Sequence, residues 1–247
     1  MSTVRTLIRK TAALSLAGLL ALSLPAQADQ TDRIVFDVIL KGVTAGQLSI
    51  NGKIEGASYG ATGTLQTTGL VGMLKKLRHD AAVSGSFRAG RFTPLKYSET
   101  AQRNGKVIDH GIIYKAGTPV SVTRNPPRTP GALDVEPANQ GGTIDPLTAL
   151  YAVLRDVDRA EACKLDVKMY DGSKRSQVRL EAPQAAGEGV VCKGEYRRLE
   201  GFSPEDMAEK SRFPFTLTYA PTPDGARLQV IEISTDTILG QGRLKRR

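Results

Sequence analysis

Apolar and polar residues alternate along most of the chain from Arg33 onward. In the segment RIVFDVILK, Ile34, Phe36 and Val38 fall on one side of an extended strand, and Asp37 falls on the other. A period of two is typical of strands with one buried face. The same pattern recurs between turn residues at 47–55, 58–68, 81–87, 95–102, 107–115, 120–124, 164–170, 175–181, 190–199, 213–220 and 226–234. The pattern predicts an antiparallel meander.

One stretch departs from this period and predicts a helix over residues 145–157. It follows a connection, residues 125–142, whose four prolines and three glycines do not suit the interior of a sheet. Asp145 suits the N-cap and Pro146 the first helical position. The apolar residues at helical spacing are Leu147, Leu150, Tyr151 and Leu154. We therefore expect a mainly β fold, with a curved antiparallel sheet or a partly open β-barrel or β-spiral, and this one amphipathic helix covering it.

The first 28 residues have the three parts of a secretory signal peptide. Three cations precede an apolar run over residues 11–24, and the small residues Ala26 and Ala28 precede Asp29. We expect cleavage after Ala28, which leaves residues 29–247 as a single all-β domain. The apolar run is shorter than the roughly 20 residues that cross a bilayer. We therefore expect a soluble periplasmic protein with no transmembrane segment after cleavage.

Cleavage also changes the charge of the chain. The formal net charge falls from +9 to about +6, because the signal peptide holds three of the 34 Lys and Arg residues. The remaining cations are scattered, and a modest positive field favours anionic envelope surfaces. The chain is exported and has no basic and aromatic motif typical of nucleic-acid recognition, so we expect no nucleic-acid partner.

The two cysteines, Cys163 and Cys192, predict one disulfide, as is usual in an exported chain. They are 29 positions apart, unlike the Cys-x-x-Cys spacing of redox pairs. Strands on either side of a middle strand lie about 9.6 Å apart, whereas a disulfide needs Cα atoms within about 6.8 Å. Either Cys163 precedes its strand or the sheet curls, and in both cases the bridge ties the helix exit to the sheet.

Residues 69–78, with the sequence GLVGMLKKLR, place apolar side chains beside three cations. The apolar residues are Leu70, Val71, Met73, Leu74 and Leu77. In one interpretation the stretch is a loop or short helix whose apolar side plugs the sheet. In the other it is a mobile, basic-amphipathic lip at a hydrophobic groove or a membrane surface, and these five residues are the candidate ligand-binding residues.

The sequence contains no phosphate loop, nucleotide fingerprint or G-x-S-x-G motif. His79 and His110 each have an adjacent aspartate, but neighbouring residues in a strand point to opposite faces, so neither pair is a ready-made dyad. A zinc site built from the histidines and cysteines would lack close ligand pairs and would compete with the disulfide. We therefore expect a non-enzymatic protein with no catalytic residues, no metal and no cofactor.

Several short motifs resemble a bacterial envelope family known as domain of unknown function 3108. They are Gly-x-x-x-Gly after the first strand (42–46), Thr-Gly-Leu (68–70), Pro-Leu-Lys-Tyr (94–97), Asp-Pro-Leu-Thr-Ala-Leu-Tyr (145–151), and Cys-x-Gly-x-Tyr (192–196) leading into Gly-Phe (201–202). The resemblance implies a periplasmic, mostly antiparallel β protein, similar in general style to periplasmic lipid carriers. It offers no catalytic residues to carry over.

The sequence supports three hypotheses about function. The first is a non-enzymatic periplasmic protein that binds a hydrophobic ligand such as a lipid, or an envelope component, and supports envelope homeostasis. The second is an interaction module that binds another envelope protein through an exposed strand edge, with FPFTLTYA (213–220) as the candidate. The third is a cell-wall hydrolase, which would require clustered acids or a His–carboxylate pair in a cleft.

Overall fold

Most of the chain folds into strands. The computed structural model describes residues 29–237 and 240–247, so the predicted signal peptide lies outside the described residues. The strands are β1 (Gln30–Leu40), β2 (Val43–Glu55), β3 (Ser58–Thr67), β4 (Leu77–Arg88), β5 (Arg91–Arg103), β6 (Lys106–Lys115), β7 (Thr118–Asn125), β8 (Asp166–Tyr170), β9 (Arg175–Leu180), β10 (Gln184–Ala186), β11 (Gly189–Glu200), β12 (Arg212–Pro221), β13 (Leu228–Thr237) and β14 (Gly240–Arg246). The helices are α1 (Gly69–Leu74), α2 (Pro146–Leu154) and α3 (Pro204–Glu209). None of the described helices is long and apolar enough to cross a membrane.

The 14 strands form one antiparallel sheet. Its order is β7-β6-β5-β4-β3-β2-β1-β14-β13-β12-β11-β9-β8, and β10 pairs with β11 beside this path. The first seven strands follow one another as hairpins, and the pairing of β1 with β14 joins them to the second half of the chain. This topology confirms the predicted curved antiparallel sheet.

The sheet curls without closing, and the proline-rich connection before α2 bridges its two edge strands. On the side of β8, the Ile144 N–H donates to the Lys168 carbonyl oxygen at 3.0 Å, and the Ile144 carbonyl accepts from the Tyr170 N–H at 2.9 Å. On the side of β7, the Gly142 N–H donates to the Gly117 carbonyl oxygen at 2.9 Å. The proline-rich connection therefore satisfies backbone groups at the sheet edges.

The concave face of the sheet holds the core. Alternate residues of the strands point into it, as the period of two predicts. The largest fully buried strand side chains are Ile34, Phe36, Ile50, Ile54, Phe87, Ile112, Tyr114, Tyr170, Leu217 and Leu228. Burial of each such side chain stabilises the fold by roughly 1.5–3 kcal/mol.

Helix α2 lies inside the curled sheet. As predicted, Asp145 is the N-cap, and its carboxylate accepts a hydrogen bond from the Thr148 N–H at 2.9 Å. Six of the nine helical residues are buried, so the helix is covered on more sides than a single apolar stripe predicts. The Tyr151 ring lies against the β2 backbone at Gly52, where any Cβ would overlap the ring. The helix therefore fills the sheet as well as covering it.

The predicted disulfide is present. Cys163 and Cys192 are bonded, with their Cα atoms 5.6 Å apart. Cys163 precedes β8, which is the first of the two arrangements that the spacing allowed. The bridge ties the segment after α2 to β11, and both cysteines are buried.

The hypothesis that residues 213–220 form an exposed edge strand is wrong. These residues lie in β12, which pairs with β11 on one side and with β13 on the other. Pro214 is the third residue of the strand and lies near its start. The pattern identified the strand but not its neighbours, and the sheet edges are β7 and β8.

Candidate functional site

The lip, residues 69–78, connects β3 to β4 at one end of the sheet. Its base is fixed to the strands on both sides. The Thr67 hydroxyl accepts a hydrogen bond from the Leu77 N–H at 3.0 Å, and the Asn104 N–H donates to the Lys76 carbonyl oxygen at 3.1 Å. The lip is therefore anchored at its return into the sheet, while α1 occupies its outer part.

The five predicted ligand-binding residues do not form one patch. Met73 and Leu74 lie at the end of α1 with 79% and 90% of their side chains exposed. Val71 and Leu77 are half-buried. Leu70 belongs to the helical backbone, and its side chain is outside the described part of the structure. Met73 and Leu74 therefore do not plug the sheet, and their exposure favours the lip interpretation.

Cations surround these two exposed apolar residues. Arg78 pairs with Asp80 at 2.5 Å. Five other cations of the lip and the neighbouring strand ends form no ion pair with any described residue: Lys75, Lys76, Arg103, Lys106 and Arg124. This end of the sheet therefore presents uncompensated positive charge beside exposed apolar surface.

A cleft of about 900 Å³ opens on the concave face beside the base of the lip. We call it the histidine cleft, because both histidines of the chain line it, His79 on β4 and His110 on β6. Arg103, Lys106 and Arg124 line the same cleft. The lining also includes Arg128 and four carboxylates, so cations and carboxylates are equal in number: Glu99, Asp134, Glu136 and Asp171.

His79 forms a pair with Glu99 inside this cleft. The His79 Nδ1 hydrogen-bonds Glu99 Oε1, and the Tyr97 hydroxyl donates to Glu99 Oε2 at 2.9 Å. Burial, reinforced by the Glu99 charge, raises the pKa of the Tyr97 hydroxyl, so this tyrosine stays protonated. Both oxygens of Glu99 are therefore occupied by groups of the protein.

His110 on β6 forms a cluster with His79, Glu99 and Tyr97, which it approaches from the other side of β5. It is the cross-strand partner of Glu99, and its ring lies 6.2 Å from the Tyr97 ring, measured between centroids. Its imidazole also lies against the backbone of Gly172, which has a φ of +96° and where a Cβ would overlap the ring. Burial lowers the pKa of His110, and the Glu99 charge opposes this effect.

The cluster can exchange protons and donate hydrogen bonds. No hydrogen bond joins either histidine to a serine or threonine hydroxyl among residues 29–237 and 240–247. Within these ranges no group of three His, Cys, Asp or Glu residues has the arrangement that could hold a metal ion. The mixed lining is suited to binding a polar group.

Sequence analysis missed the His79–Glu99 pair because it compared each histidine only with its adjacent aspartate. The pair forms across the β4–β5 hairpin, where His79 lies opposite Ala101 and diagonally from Glu99. The turn at 88–91 indicates this hairpin, but a register shift between Ser84 and Gly85 changes the facing residues by one. Counting back from the turn without that bulge gives the wrong partners.

A comparison with known protein families matches the part of the chain that contains these residues. The family described as "Protein of unknown function (DUF3108)" matches residues 35–198. The chain belongs to the DUF3108 family. The DUF3108 match contains the lip, the histidine cleft, α2 and both cysteines, and it confirms the resemblance found in the sequence motifs.

One solved structure matches most of this chain. It is a β-barrel-like protein of domain of unknown function DUF1849 from Brucella abortus, with 13% sequence identity and a TM-score of 0.49. The alignment covers 88% of this DUF3108 chain and 95% of that chain. No curated protein matches this sequence.

Proposed function

We propose that this DUF3108 protein is a non-enzymatic periplasmic protein that binds anionic lipid surfaces through the lip. The observation that carries the proposal is the exposure of Met73 and Leu74 beside cations that have no ion-pair partner. Single exposed apolar residues are ordinary on protein surfaces. Two adjacent ones beside Lys75 and Lys76 have the composition of a segment that lies in a membrane interface.

The expected energy of this contact suits reversible binding. Full burial of a Leu or Met side chain is worth about 1.5–3 kcal/mol. Each Lys or Arg close to an anionic membrane adds about 1 kcal/mol. Met73, Leu74 and two lysines would together contribute on the order of 5 kcal/mol. This is enough for peripheral association and far less than a membrane-spanning helix provides.

The contacts of the histidine cleft support binding rather than turnover. Glu99 is held by His79 and Tyr97, so both of its oxygens are engaged with side chains of the cleft. Arg103, Lys106 and Arg124 are available to an anionic headgroup at the rim. We therefore assign the His–carboxylate pair to the positioning of polar groups, not to hydrolysis.

Vesicle co-sedimentation tests the proposal. The processed protein should bind vesicles of phosphatidylglycerol and phosphatidylethanolamine and should not bind phosphatidylcholine vesicles. Met73→Ser with Leu74→Ser should weaken binding about 150-fold, which corresponds to a loss of about 3 kcal/mol. The matched control is Leu95→Ser with Val120→Ser, two residues with 60% and 56% exposure elsewhere on the sheet. Equal losses in the two double variants would contradict a role for the lip.

A charge variant measures the electrostatic contribution to vesicle binding separately from the apolar one. Lys75→Gln with Lys76→Gln should weaken binding to anionic vesicles, and added salt should weaken the wild type in the same direction. Lys96→Gln with Lys115→Gln removes two exposed cations far from the lip and is the control. Binding that is insensitive to both salt and the lysine pair would count against an anionic surface as the partner.

A further inference from the structure

A second cavity lies at the opposite end of the sheet from the lip. Its volume is about 820 Å³, and its wall includes the β4–β5 turn, the C-terminal end of α2 and the start of β8. The lip and this turn are at opposite ends of β4, which runs from Leu77 to Arg88. We call this space the arginine cavity, after Arg155 in its wall. It shares no lining residue with the histidine cleft.

Arg155 brings a cation without a counter-ion to this cavity. Its guanidinium lies 5.3 Å from the centre of the Phe87 ring and 5.9 Å from that of Phe92. The buried Nε has no hydrogen-bond partner, and Nη1 makes only a long bond of 3.4 Å to the Asp156 carbonyl oxygen. A guanidinium has five N–H donors, and leaving them unpaired away from water is costly. This pattern indicates a missing anionic partner.

The buried carboxylate of Asp32 does not supply that partner. Its oxygens accept hydrogen bonds from the Gln30 side chain at 2.8 Å, the Tyr151 hydroxyl at 2.6 Å and the Asp156 N–H at 3.2 Å. Asp32 forms no ion pair with Arg155 in the described part of the chain. Burial lowers the pKa of Arg155, and the negative charge of Asp32 opposes that effect. The arginine stays charged at neutral pH because its intrinsic pKa is so high.

The remaining wall of the cavity is mixed, because charged residues line it beside the apolar ones: Arg91, Lys164, Lys168, Glu161 and Asp166. The apolar residues that line it include Phe92, Pro94, Ile144, Val157, Leu165 and Leu180. Tyr219 lines the same space, and burial raises the pKa of its hydroxyl to about 12, against the opposing charge of Arg155. The hydroxyl is therefore protonated at neutral pH and can donate a hydrogen bond to an anion.

We propose that the arginine cavity binds an amphiphilic carboxylate, with the carboxylate on Arg155 and the apolar chain against the aromatic and aliphatic wall. A carboxylate matches the planar fork of a guanidinium and accepts two parallel hydrogen bonds. The lining holds four cations, Arg91, Arg155, Lys164 and Lys168, against the two carboxylates of Glu161 and Asp166, so its net charge favours an anionic ligand. The volume is within the range of small-molecule sites. This site is separate from the lipid surface proposed for the lip.

Titration calorimetry on the processed, delipidated protein tests this site with dodecanoate below its micellar concentration. We expect saturable binding of one dodecanoate per chain. Dodecanol has the same chain without the charge and should bind at least about 10-fold more weakly, because it cannot form the charge-assisted pair. Arg155→Met should lower dodecanoate affinity by a similar factor, whereas Arg179→Met, at an exposed arginine of β9, should not. Met73→Ser with Leu74→Ser should leave dodecanoate binding intact.

A stability measurement separates this role from a structural one. Arg155→Met should keep or raise the thermal midpoint of the unliganded protein, because it removes an unpaired, partly buried cation. The proposal is overturned if the wild type shows no saturable dodecanoate binding, if dodecanol binds as well, or if Arg155→Met binds equally. Tighter binding of dodecyl phosphate than of dodecanoate would overturn the assignment to carboxylates. The comparison of dodecanoate with dodecanol needs no variant and stands even if Arg155→Met fails to fold.

Discussion

Replacement of Asp145 by asparagine should remove one identifiable part of the pH dependence of stability. Asp145 is fully buried at the start of α2. Its carboxylate accepts from the Thr148 N–H at 2.9 Å and from the Thr148 hydroxyl at 2.5 Å. Asparagine is an equally good N-cap and keeps an oxygen for the backbone N–H. Asp145→Asn therefore removes the charge with little change to the cap.

The magnitude follows from the burial of this carboxyl group. Burial raises the pKa of Asp145 from 3.8 to about 6, and its hydrogen bonds to Thr148 oppose that effect. The native state therefore binds a proton that the unfolded state has lost between about pH 4 and pH 6. The contribution of Asp145 to stability is present below pH 4 and is lost as the pH rises through 6. A shift of about 2 pKa units corresponds to about 3 kcal/mol.

Urea denaturation at several pH values between 4 and 7 measures this effect. The difference in unfolding free energy, Asp145→Asn minus wild type, should rise by about 3 kcal/mol over that range. Asp158→Asn removes an exposed carboxylate after the same helix and is the control. A difference between Asp145→Asn and wild type that stays constant from pH 4 to pH 7 would refute the argument from burial.

Two further predictions concern the fold. Cys163→Ala with Cys192→Ala should lower the unfolding free energy by about 3.6 kcal/mol, because the bridge closes a loop over a sequence separation of 29. A reductant should destabilise the wild type but not this variant. Gly52→Ala should destabilise by about 1–3 kcal/mol in urea denaturation, because its methyl group would overlap the Tyr151 ring. Gly60→Ala on the neighbouring strand is the control and should be tolerated, because a Cβ there makes only an ordinary contact of 3.7 Å to the Val83 carbonyl oxygen. Equal effects of the two substitutions would contradict the close approach of α2 to β2.

Local patterns in the sequence were sufficient to predict the strands and the main helix of the fold. The alternation in RIVFDVILK and the other runs predicted strands, because the side-chain period of a strand is a property of the local backbone. Asp145 and Pro146 predicted the start of α2, because caps depend on residues within one turn. The disulfide followed from the predicted export of the chain and the number of cysteines.

Non-local arrangement accounts for what the sequence did not predict. Alternation shows which face of a strand is buried, but not which strands lie beside it, so β12 was taken for an edge strand. The pairing of His79 with Glu99 depends on a bulge in β5, at Leu95, that no local signal marks. Arg155 follows α2 in the sequence and resembles an ordinary polar helix exit. It is partly buried and unpaired only because the curled sheet surrounds that helix.

The position of α2 also explains why the two ends of the protein differ. The helix fills the middle of the curled sheet, where Tyr151 lies against β2 and Thr148 hydrogen-bonds Tyr59 of β3 at 2.7 Å. The space that remains on the concave face is divided into the histidine cleft at one end and the arginine cavity at the other, with no lining residue in common. A ligand at either end would therefore be held by its own set of residues. The proposed membrane association through the lip and the proposed carboxylate binding at Arg155 should be lost separately, and a variant that abolished both would indicate disruption of α2 between them.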